Sequence, residues 1–126
     1  MATYDLKNRV SVVNSLSAAA YTTVTNGASA DLAGYEGALV IYHIGASGVD
    51  QVFKMQESDN DSTFTNVTAS DQSTTLVAID TTNDDTIYTA AYLGRKRYLR
   101  VALTTYGTSL AAACSIVRFP GRHVNA

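Results

Sequence analysis

Apolar and polar residues alternate along most of this chain, and the alternation is broken by Gly, Asn, Asp and Ser clusters about every 8 to 12 residues. Val10-Ser11-Val12-Val13-Asn14-Ser15-Leu16 sets Val10, Val12 and Leu16 on one face of a first strand. Tyr21-Thr22-Thr23-Val24-Thr25 follows ahead of the turn pair Asn26-Gly27, with Ala18-Ala19-Ala20 between them able to add a short helical turn. Residues 38–44, Ala-Leu-Val-Ile-Tyr-His-Ile, are apolar on nearly both faces, open after Gly34-Tyr35-Glu36-Gly37 and stop at Gly45, which predicts a central strand.

Two hairpins are expected next. Residues 49–57 and 63–67 flank the acidic stretch around Ser58-Asp59-Asn60-Asp61-Ser62, and residues 76–79 and 87–90 flank Thr81-Thr82-Asn83-Asp84-Asp85. A last pair follows: residues 97–104 place Leu99, Val101 and Leu103 on one face, and Tyr106-Gly107-Thr108-Ser109 turns the chain into residues 110–119, which Pro120-Gly121 ends.

No window longer than two turns carries a helical period, and Thr, Ser, Val and Ala dominate, with Tyr well represented, while Glu and Lys are sparse. The expected fold is all-β: an antiparallel, jelly-roll-like β-sandwich of about eight or nine strands. The chain of 126 residues suits one domain. Residues 10–120 form the sandwich, residues 1–9 an N-terminal arm and residues 121–126 a C-terminal tail, both polar enough to order only against a partner.

Charge narrows the partners. Nine Lys and Arg against eleven Asp and Glu give a formal charge of −2, too little positive charge for general nucleic-acid affinity. Residues 1–9 lack the apolar stretch of a secretory signal, and no run reaches the ~20 apolar residues of a membrane span, so a soluble protein without a membrane partner is expected. The single Cys114 lies among small and apolar neighbours and reads as a buried, inert thiol.

Candidate chemistry is thin. Glu57, Asp59 and Asp61 alternate as calcium ligands do, yet a loop counted from Glu57 has Ser62 where an EF-hand needs Gly and Thr68 where it needs Glu. A hairpin turn capped by its own short oxygens is the better reading, and no metal or cofactor is expected. The two histidines are His43, inside an apolar strand as a core or interface residue, and His123, in the tail; neither is paired with a nucleophile, and an enzyme is not expected. Arg95, Lys96, Arg97 and Arg100 form the only basic cluster, either a solvated strand opening or a contact for a partner's carboxylates. Eight tyrosines without a tryptophan read as amphipathic strand residues or as a contact surface.

Three ordered segments carry a resemblance. They are Leu32-Ala33-Gly34-Tyr35-Glu36-Gly37-Ala38-Leu39-Val40, then Phe53-Lys54-Met55-Gln56-Glu57-Ser58-Asp59-Asn60-Asp61 with Phe64-Thr65-Asn66-Val67, then Gly94-Arg95-Lys96-Arg97-Tyr98-Leu99-Arg100-Val101. Together they resemble a group of small virion proteins of tailed bacteriophages, over roughly residues 10 to 120. Where that group often has Asp-Asp-Gly after the Ser, this chain has Asp59-Asn60-Asp61-Ser62.

The resemblance implies a head decoration, cement or minor capsid protein, made in the host cytoplasm and located on the capsid surface of the virion. Its implied partner is the major capsid protein, bound by a homo-oligomer for which a trimer is the expected state. The expected contact residues are Tyr4 and Arg9 in the first arm, Arg95, Lys96, Arg97 and Arg100 in the basic cluster, and His123 in the tail. Two other roles stay open: a tail or head–tail joining structural protein, and a carbohydrate-binding sandwich module.

Overall fold

The computed structural model describes residues 10–76 and 78–120. Nine strands build two antiparallel sheets: β1 Ser11–Tyr21, β2 Thr25–Asn26, β3 Ala30–Asp31, β4 Gly37–Ser47, β5 Val52–Ser58, β6 Thr65–Asn66, β7 Thr86–Tyr92, β8 Tyr98–Thr105 and β9 Leu110–Phe119. The first sheet has the order β1-β9-β4-β7. The second has β2-β8-β5-β6, with β3 also paired to β8. The all-β sandwich read from the sequence is the fold observed. Every connection crosses from one sheet to the other except the break between β2 and β3 and the β5–β6 hairpin.

Alternation explains which faces meet. In β4, Ala38, Val40, Tyr42 and Ile44 point inward; in β8, Leu99, Val101 and Leu103 do the same, and all seven are buried. Phe53 and Met55 of β5 join them from the second sheet and Leu16, Cys114 and Ile116 from the first. The Tyr42 and Phe53 rings pack across the two layers with centroids 5.9 Å apart. Each Val, Leu, Ile, Phe or Met among them contributes about 1.5–3 kcal/mol when fully buried, so this double row is the main source of cohesion. β4 is the central strand expected, hydrogen-bonded to β9 on one side and β7 on the other.

Several expectations need correction. The first strand continues to Tyr21, because Ala19 and Ala20 pair with Ala112 and Ala111 of β9; the alanines form strand and not a helical turn. Irregular register around Ser15 also reverses the expected face. Val12 is 61% exposed, Val13 packs on the core, and Ser15 and Leu16 are buried in succession. Asn26-Gly27 is no hairpin turn, since Asn26 pairs with Ala102 and the Gly27 N–H donates to the Val101 carbonyl.

The second predicted hairpin is absent. Within residues 76–79, Val77 lies outside the described residues and only Ile79 is bridged, to Gln51, while β7 pairs with β4. β8 and β9 are no hairpin either; residues 106–109 carry the chain between sheets, β8 pairing with β5 and β9 with β1 and β4. His43 is on the exposed outer face of β4 and does not belong to the core.

Candidate interaction site at one end of the sandwich

Strand directions bring three loops and both ends of the described framework together. β4 begins where β7 and β9 end, since Ala38 faces Tyr92 and Gly37 faces Phe119. β8 begins where β5 ends, with Tyr98 opposite Ser58. Ser11 at the start of β1 faces Arg118 near the end of β9. Residues 32–36, 59–64 and 93–97 therefore share one end of the sandwich with Val10 and Pro120, the limits of the continuous β framework. The expected contacts Tyr4, Arg9 and His123 lie outside the described residues.

The 93–97 loop is anchored from beneath. The buried Tyr92 hydroxyl donates to Glu57 Oε1 at 2.5 Å and accepts from the Lys96 backbone N–H at 3.0 Å. Burial first, and then the Glu57 carboxylate, push the Tyr92 hydroxyl well above the ordinary phenol range. Gly94 is required for the loop to pass: a Cβ there would collide with the Tyr92 ring and hydroxyl.

Above this anchor the basic residues separate. Lys96 Nζ pairs with Asp59 at 2.7 Å, and that hydrogen bond raises its pKa. Arg97 holds both oxygens of Asp31, at 2.9 Å each, and lies over the Tyr98 ring. The Arg97 hydrogen bond, helped by the Ala33 backbone N–H, lowers Asp31 to about 2. Arg95 is exposed and has no ion partner among the described residues.

Arg100 stands apart from this loop, on the outer face of the second sheet. Its guanidinium lies 4.0 Å from the centroid of the Phe64 ring, its Nε donates to Gln56 Oε1, and burial lowers its pKa.

A cleft of about 450 Å³ opens beside the loop, walled by Leu32, Tyr35, Glu36 and residues 94–97. A second hollow of about 370 Å³ lies on the loop's other flank, against Glu57, Asp59 and Asp71, and Arg95 borders both. Cations dominate the lining of the first hollow, with Glu36 as its one carboxylate, and carboxylates outnumber cations in the second.

Arg118 is the residue the sequence pattern hid. It reaches from β9 across the sandwich end, donating to the Asp31 carbonyl at 2.9 Å and the Ser11 hydroxyl at 2.5 Å, and stacks on Tyr35. Its Nε is buried without a hydrogen-bond partner among the described residues. The only sequence signal is a cation at an inward-parity position of an otherwise apolar strand.

The acidic stretch is a turn. Ser58 Oγ accepts from the Asn60 and Asp61 N–H groups at 3.1 and 3.0 Å, and Asn60 Oδ1 accepts from Ser62 and Thr63, each at 2.9 Å. Asp61 takes the left-handed conformation with φ 58°. The three carboxylates diverge: Glu57 goes to Tyr92, Asp59 to Lys96 and Asp61 to Ser29. Among the described residues no three His, Cys, Asp or Glu side chains gather as a metal cage. In comparisons with known proteins, no family model, no curated protein and no solved structure matches the chain.

Proposed function

We propose that the chain is a structural virion protein that attaches to the outside of a tailed-bacteriophage capsid and stabilises it, with the major capsid protein as its partner. The observation that supports this reading best is the gathering of the 93–97 basic loop, the 59–64 turn and both limits of the β framework at one end of a rigid sandwich. A body of this kind can grip a surface by one end and by its arms while its fold stays unchanged. The three segments that resemble small virion proteins run into this same end at residues 32–37, 57–61 and 94–97. As we read it, the order β1-β9-β4-β7 over β2-β8-β5-β6 is also jelly-roll winding, an architecture used in viral capsid and lectin domains.

The mechanism is linkage. A protein that binds the assembled shell and not its free subunits shifts the balance toward assembly, by about 2.7 kcal/mol at a free concentration a hundred times its dissociation constant. Particles stripped of the protein and incubated with the purified chain should regain resistance to heat, and failure of the unaltered chain to bind refutes the reading. Arg95→Glu reverses an exposed charge that no described residue pairs, so it should weaken attachment without unfolding the sandwich. Full restoration by that variant would exclude the basic end as the attachment surface. Particle images that put the chain at the neck or tail would instead favour the head–tail joining role.

A further inference from the structure

The four strands of the first sheet contain a single formally charged residue, Arg118. That guanidinium is directed inward, to the Asp31 carbonyl of the other sheet. With histidine counted neutral the outer face carries no formal charge at pH 7, and its one titratable side chain is the exposed His43. One cross-strand row reads Val12, Val117, Leu39, Ala91, apolar from edge to edge. Of the six large apolar side chains exposed among the described residues, Val12, Ile87 and Phe119 lie on this face or at its rim. Near its far end, Ala19, Gly45 and Ala111 floor a shallow hollow of about 370 Å³, room for side chains projecting from a facing sheet. The next row, Asn14, Ser115, Ile41 and Thr89, is uncharged but mostly polar, so the apolar surface lies in two bands on either side of it, and exposed apolar surface of this kind marks an interaction site.

We infer that this face is the contact between two copies of the chain, packed sheet on sheet about a two-fold axis. A face without formal charge at pH 7 offers a charged partner nothing to pair with, whereas an identical copy brings a matching uncharged surface of apolar and small polar side chains. The area is sufficient. Four strands at ~4.8 Å and seven residues at ~3.4 Å give an outline of about 19 by 24 Å, roughly 450 Å² a side. A corrugated face has more accessible area than its outline, so a pair buries about 1,000 Å² or more in total, where specific interfaces begin.

Three copies about a three-fold axis, the state expected from the sequence, would each need a second surface complementary to this one. The outer face of the second sheet, with exposed Lys54 beside the half-buried Arg100, is no such complement. Two antiparallel sheets packed face to face align within about 30°, as the layers within a sandwich do.

The pairing does not depend on attachment to a capsid, so it is tested on the free protein. Sedimentation of the full chain at micromolar concentration should show a species of twice the 13.4 kDa chain mass. Ile87 is 58% exposed in the single chain, so Ile87→Lys should leave the circular dichroism spectrum unchanged while raising the dissociation constant of the pair at least about tenfold. Val12→Lys, on the opposite edge strand, should do the same and serves as the independent variant. Val24→Lys alters an equally exposed apolar residue away from this face, between β1 and β2, and should leave the pair intact. A monomeric or trimeric wild type, or a Lys variant of the face that pairs as tightly as wild type, overturns the inference.

Discussion

Ser15→Ala is the sharpest test of how the two sheets are joined along one edge. Ser15 is 5% exposed, at the irregularity of β1. Its hydroxyl donates to the Ala28 carbonyl at 2.8 Å and accepts from the Val101 N–H at 3.0 Å. Its own carbonyl accepts from Ala28 N–H, and Gly27 N–H donates to Val101. One serine thus connects the edge strand of the first sheet to β8 of the second through the break between β2 and β3. Removing the hydroxyl strands a backbone acceptor and a backbone donor, and each unsatisfied buried group costs about 1–3 kcal/mol. With partial relaxation we expect a loss of about 2–4 kcal/mol, a large share of the 5–15 kcal/mol typical of a domain. Urea unfolding should show a lower midpoint at constant slope, and the melting temperature should fall by about 8–15 °C. Ser17→Ala is the control: that hydroxyl only accepts from exposed Asn14, so its loss should stay within about 0.5 kcal/mol. A Ser15→Ala loss no larger than the control's would refute the seam.

Asp31 supplies a pH test. Its folded value of about 2 lies below the ordinary 3.8, so its ion pair adds stability that is present above pH ~4 and is lost as pH falls toward 2. Asp31→Asn should therefore lower the urea midpoint at pH 6 and flatten its decline between pH 4 and 2; parallel declines for wild type and variant would refute this. Cys114 is fully buried and its thiol is pushed up to about 12 by desolvation, so a thiol reagent at pH 8 should label it only after unfolding. Rapid labelling of the native protein would contradict the packing.

Much of the layer structure was legible because it rests on a period of two. The β8 alternation placed Leu99, Val101 and Leu103 inside, the run 38–44 identified the central strand, and the Ser58–Asp61 chemistry identified the β5–β6 turn. Pairing was less legible. Alternation states that a strand has a buried face but not whether the next strand lies beside it or opposite it, and residues 106–109 look like a hairpin turn although they bridge the sheets. Two irregularities in the β1 register, between Asn14 and Leu16 and between Leu16 and Ala19, leave Val13 inward and Val12 outward, which no count of alternating residues foretells. The basic cluster was visible as composition, but its partners were not. Arg97 meets Asp31 from 66 positions away and Lys96 meets Asp59 from 37, distances that only the completed topology closes.

Pairing through the uncharged face bears directly on attachment through the basic end. Two sheets packed face to face share a two-fold axis lying in the plane between them. An axis running along the strands directs both 93–97 loops the same way; an axis across the strands directs them oppositely. Only the first arrangement offers two gripping ends to one surface, and the second contact then forms at the high effective concentration of a tethered site, enough to raise overall affinity by 10² to 10⁴ over one contact. Like-charge repulsion between the neighbouring ends is small, because Asp59 and Asp31 neutralise Lys96 and Arg97 within each copy and leave Arg95 as the loop's one cation without an ion partner among the described residues. The local ion pairs that stiffen each loop are therefore also what allow two such loops to sit side by side.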